Sequence, residues 1–219
     1  MATKLTTYSA LPGEDSRAYR SVRVRPVSRV KRFKLGRQLR QKVSRRSLGV
    51  WQPGHNRPDP IALIERLHVG RVASLIPVRI ARMVASPYGF LRGGANVMAE
   101  DLARLPSTGI APVICGDAHL GNFGFYASPE RDLVLDLNDF DEAHPGPWEW
   151  DLRRLVTSFY VAGRQSGMRD AQCDDAVMSC VAAYRQSVRL LANQPLLSRS
   201  FQRMDVELLH STVTGKSLR

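Results

Sequence analysis

Residues 115–122, CGDAHLGN, set an aspartate (Asp117), a histidine (His119) and an asparagine (Asn122) between two apolar runs. Further on, LNDFDEA adds Asp139, Asp141 and Glu142. An amide oxygen and a carboxylate suit Mg²⁺, which takes few protein ligands and leaves positions for water and phosphate. A carboxylate beside that site but off the metal can take the proton of an attacking hydroxyl. Asn122 and Asp139 therefore read as metal ligands and Asp117 as the catalytic residue. Asp141 reads as a further ligand or a residue behind the ligands. His119, and Arg92 in FLRGG, read as substrate or phosphate contacts. Each also has a plain structural reading: Asp and Asn cap helices and make turns, and Asn tolerates left-handed backbone.

These residues need a scaffold that brings distant segments together. FGFYA and LVLDL alternate as strands, with SPERD as the turn between them. A turn centred between Glu130 and Arg131 sets Asn122 opposite Asp139. PVIC reads as a short strand leading into the loop.

Helices surround this small β region. Asp59-Pro60 is a helix start, an N-cap followed by proline in the first turn. Apolar spacing carries that helix to about residue 72 and places others over 77–85 and 95–105, with SPYGFLRGG as a break. After HPGP a long helix begins at WEWDLRRL, a second spans 170–191, and a weaker one runs from 196 to about 210. The expected class is α+β, mostly helical with a small hairpin region. Tryptophans 148 and 150 read as packing residues.

The order of motifs resembles kinases. There a catalytic Asp stands five positions before a metal-binding Asn, and a hairpin leads to a second metal-binding Asp. Asp117, Asn122 and the Asp139-Phe140-Asp141 stretch match. The loop is closer still to the G-D-x-H-x-x-N form of aminoglycoside phosphotransferase-like enzymes. That resemblance implies a kinase-like catalytic lobe, Mg²⁺ and ATP as cofactors and a small-molecule acceptor. It also implies that Asp151 on the following helix braces the catalytic loop. RPDPIALIERL, PVRIARMVASPYGFLRGGA, MAEDLARLPSTG, CGDAHLGNFG and LNDFDEAHPGPWEWDLRRL together are similar to the bacterial domain-of-unknown-function family 2252, over about residues 36–190.

Kinases also need a glycine-rich loop over the phosphates and a lysine paired to them. RGGA is too short for that loop, and no lysine occurs between Lys42 and Lys216. Longer members of the similar family carry glycine-rich, lysine-containing segments later in the chain. The resemblance thus implies a truncated member, with nucleotide held only once a downstream lobe or partner chain supplies the missing part. HSTVTGKS near the C-terminus imitates a phosphate loop but has His210 where the first glycine belongs and no helix to open. DLNDFD fails as a calcium loop because Phe140 occupies a ligand position.

Charge is distributed unevenly. Residues 17–46 hold thirteen Lys and Arg and no acid, so the whole of the net +12 lies there. This suggests a basic N-terminal arm over 1–50, flexible and able to touch polyanions weakly, ahead of a catalytic-lobe segment over 51–219. Tyr19 and Phe33 are its two aromatics from 17 to 46, which leaves little for base stacking. No apolar run is long enough for a membrane span, the first residues lack a secretory h-region, and the three cysteines form no C-x-x-C. A cytoplasmic protein with reduced thiols is expected. Two alternatives to the phosphotransferase remain: a non-catalytic interaction or polyanion-binding segment, and a metal-dependent phosphohydrolase. The second would need more histidine ligands than His55, His68, His144 and His210 offer in their settings.

Overall fold

A proline-led turn decides the register of the central hairpin. In the computed structural model, which describes residues 28–214, Ser128-Pro129-Glu130-Arg131 closes through Arg131 N–H to the Ser128 carbonyl at 2.8 Å. Pro129 supplies the fixed φ that such a turn favours at its second position. Arg131 follows at φ 69°, and Ser128 N–H then bonds the Asp132 carbonyl at 2.8 Å. A turn followed by one left-handed residue is a three-residue hairpin loop. Its centre is Glu130, so β2 (Phe123–Ala127) pairs antiparallel with β3 (Leu133–Leu137) as Phe123 with Leu137. This corrects the sequence register by one residue. Asn122 faces Asn138, whose N–H bonds the Asn122 carbonyl at 3.0 Å, and Asp139 is the residue beyond.

The fold is α+β and mostly helical, with two antiparallel two-stranded sheets. Contacts divide the chain into two compact units, one running up to Gly116 with Glu142–Arg153 added, the other Asp117–Asp141 with the chain from Arg154 on.

In the first unit, α1 (Arg29–Lys42) and α2 (Arg45–Leu48) occupy the basic stretch, each opened by a serine cap, Ser28 and Ser44. Residues 1–27 of the expected arm lie outside the described residues. Asp59 caps α3 (Pro60–Arg66) with its carboxylate on Ile61 N–H. This helix ends earlier than its apolar spacing suggested, because Gly70 takes φ 83° in the turns that follow. α4 (Ile76–Val84) matches expectation, but SPYGFLRGG is not merely a break. Ser86 caps a new helix there, α5 (Pro87–Gly93), by accepting from Gly89 N–H at 3.0 Å. α6 (Ala95–Ala103) follows. Ile64, Met83 and Val97 form the buried cluster, with Leu63 against it. β1 (Val113–Ile114) pairs with β4 (His144–Pro145), a strand hidden in what reads as a proline-glycine loop.

α7 (Trp148–Gln165) begins in the first unit and continues into the second. There α8 (Asp170–Asn193), α9 (Leu196–Ser200) and α10 (Val206–Thr214) join the hairpin. Gly163 leaves room for the fully buried Cys173; a Cβ at that glycine would run into the Cys173 sulfur. Leu135 N–H bonds the Met204 carbonyl at 2.8 Å, which extends β3 toward α10. The three cysteines are free thiols. Among the described residues no helix is long and apolar enough to cross a membrane.

Candidate functional site

The loop from Cys115 to Asn122 is short of backbone partners, and buried polar groups without partners are costly. Side chains supply them. Asp151 accepts from Cys115 N–H at 2.7 Å through one carboxylate oxygen and from Gly116 N–H at 2.9 Å through the other. The bracing of the loop by Asp151, implied by the kinase resemblance, thus has a direct geometric counterpart. Gly116 sits at φ 84°, and a Cβ there would collide with the Glu142 carbonyl, so only glycine fits.

Asp117 follows, 8% exposed. Arg154 Nε donates to its Oδ1 at 2.7 Å, and His119 Nε2 stands 3.8 Å from Oδ2. Arg154 is itself 3% exposed, so this is a buried ion pair. Leu120 N–H then bonds Ser158 Oγ at 2.9 Å, and Ser158 is fully buried. Asp151, Arg154 and Ser158 are spaced three and four apart, which lines them up along α7. Sequence reasoning found the first and missed the other two. Their spacing from Asp151 was the available signal.

Asn122 closes the loop. Its backbone N–H bonds the His119 carbonyl at 2.9 Å, and its side-chain Nδ2 donates to the Asp117 carbonyl at 2.8 Å. The amide is thereby fixed in one orientation, with Oδ1 as the oxygen that remains for a ligand. Asp117, His119 and Asn122 are thus brought together, all buried.

Asp139 and Asp141 lie on an exposed stretch; Asp141 N–H reaches Asp139 Oδ1 at 3.4 Å. Arg92 is exposed in the last turn of α5, within the first unit. By residue type alone, an amide oxygen and a carboxylate suit a hard cation that keeps several waters. Among the described residues no group of three or more His, Cys, Asp or Glu is placed to hold a metal ion.

Glu149 does more than favour a helix start. Its Oε1 accepts from Thr108 N–H at 2.8 Å and Thr108 Oγ1 at 2.6 Å, and Trp148 Nε1 donates to the same hydroxyl at 3.0 Å. The segment before β1 is tied to α7 in this way. Burial pushes the Arg153 guanidinium below its ordinary value, against the pull of Glu149.

The bacterial family described as "Uncharacterized protein conserved in bacteria (DUF2252)" matches residues 71–218. The chain belongs to that family. The match begins later and reaches further than the 36–190 similarity read from the motifs, taking in α8 to α10. No curated protein and no solved structure matches the chain.

Proposed function

We propose that this DUF2252 member is a kinase-like phosphotransferase that uses Mg²⁺ and ATP on a small-molecule acceptor. The observation that carries the reading is the pinned loop. Asp117 and Asn122 stand five apart, both are buried, and the Asn122 amide is locked onto the Asp117 carbonyl. Asn122 and Asp139 would hold Mg²⁺, which when bound offsets the charge of the phosphates. The acceptor hydroxyl gives its proton to the Asp117 carboxylate while its oxygen bonds to the γ-phosphorus. The bond from that phosphorus to the bridging oxygen breaks, and ADP leaves with the electron pair. Arg154 and the α7 contacts fix the carboxylate beforehand, so that positioning rather than new covalent chemistry supplies the rate. ATP as donor puts this reaction in the cytoplasm. A two-metal phosphohydrolase has less support, since it would need a cluster of His and carboxylate ligands.

Mn²⁺ serves as a paramagnetic stand-in for the test. Added with ATP, it should broaden the backbone amide signals of residues 117–123 and 138–142, and Asp139→Asn should remove the effect. With a segment supplied that carries the glycine-rich loop and lysine missing between Lys42 and Lys216, transfer of phosphate from ATP into a pool of small hydroxyl compounds, followed by phosphorus NMR, should appear. It should vanish in Asp117→Asn with Mn²⁺ broadening retained; without that segment it should be weak or absent. Broadening centred elsewhere defeats the metal assignment, and transfer that survives Asp117→Asn defeats the catalytic one.

A further inference from the structure

We infer that α1 is a docking helix for the phosphate backbone of duplex nucleic acid, independent of phosphotransfer. Residues 29–46 carry nine Lys and Arg and no acid. The sequence alone suggested a loose extension; the structure arranges the first seven of those cations on a 14-residue helix. At about 1.5 Å per residue that helix is about 21 Å long, and duplex DNA presents a phosphate charge about every 1.7 Å of its axis.

The helix surface decides which polyanion fits. Leu39 is buried and Leu35 half-buried, so the aligned apolar residues of α1 are already used inward. The outward surface presents Arg29, Arg37 and Arg40 on one side and Lys31 and Lys34 on the other, all exposed. Apart from Arg29, no cation of this stretch makes an ion pair with a described acid. A helix that lies in a lipid surface needs a broad apolar face opposite its charges. Here the exposed apolar residues are only Val30 and Phe33, set among the cations. Single-stranded nucleic acid is gripped by several stacked aromatics, and Phe33 is the one aromatic of the helix. What remains is a helix of exposed cations without a reader of bases. That chemistry suits the regularly spaced phosphates of a duplex, bound without sequence preference.

The test is fluorescence anisotropy of the full chain with a labelled mixed-sequence DNA duplex of about 20 base pairs, from about 50 to 300 mM salt. Binding should weaken linearly in log–log form, with a slope of about −4 to −6 for about five to seven neutralised phosphates. The Arg37→Glu/Arg40→Glu pair should weaken it at least tenfold with an unchanged circular dichroism spectrum. The Arg185→Glu/Arg189→Glu pair on the exposed end of α8 removes as much charge and should change affinity less than twofold. Equal weakening by both pairs would mean that net charge alone attracts the duplex, and would overturn the proposal. So would tighter binding to a single strand, to phosphatidylserine vesicles or to polyglutamate, or no duplex binding at about 50 mM salt.

Discussion

The two stretches that carry the candidate site differ sharply in support. From Ile114 to His119 all residues but half-buried Gly116 are buried, as is Asn122; Asp151, Arg154 and Ser158 of α7 bond the Cys115, Gly116 and Leu120 amides and the Asp117 carboxylate, and the Asn122 side chain bonds the Asp117 carbonyl. From Asn138 to Pro145 all residues are exposed. One half of the site is finished by folding, and the other half still presents its carboxylates to solvent. Such a division suits a reaction in which the proton acceptor must be positioned in advance, while the residues that meet a charged ligand stay open to it.

Mutations that treat the halves differently give the strongest test. Arg154→Met strands the Asp117 carboxylate without its buried partner and should cost about 3–5 kcal/mol, read by urea denaturation. Adding Asp117→Asn to that variant should return part of the loss, which a purely steric effect of methionine would not allow. Asp151→Ala removes the acceptor of two amides and should cost about 2–4 kcal/mol; a loss below about 1 kcal/mol would mean that water replaces it easily. Ser158→Ala leaves Leu120 N–H without its acceptor and should cost about 1–2 kcal/mol. In the exposed half, Asp139→Asn should change stability by less than about 0.5 kcal/mol, while abolishing the Mn²⁺ response. A large destabilisation by Asp139→Asn would erase the contrast between the halves.

The motif residues stood out in the sequence because few residue types and spacings suit phosphate chemistry. The neighbours that make them rigid stood out less. Asp151 could be named by resemblance, yet Arg154 and Ser158 sit in the same helix turnings and look like ordinary helix residues until their partners are seen. The hairpin register was missed because FGFYA and LVLDL alternate equally well in two registers. Only the left-handed conformation of Arg131, which a non-glycine residue seldom adopts, makes the loop three residues long. α1 went unread for a different reason: its cations occupy almost every turn and mask the few apolar residues whose spacing would announce a helix. β4 was hidden because two residues, one of them a proline, give no alternation to detect.

The contact between the Asn122 side chain and the Asp117 carbonyl explains why an asparagine stands where a stronger cation ligand is conceivable. Aspartate would offer a full negative charge to a metal, but both its oxygens accept and neither donates. At this buried position one of them would face the Asp117 carbonyl oxygen, lone pair against lone pair, in place of a 2.8 Å hydrogen bond. The amide is two-sided: its nitrogen belongs to the fold, and under the proposed function its oxygen would face the metal. A substitution that strengthens the cation ligand therefore removes the structural bond, and the isosteric Asn122→Asp exchange should be poorly tolerated for want of a single N–H.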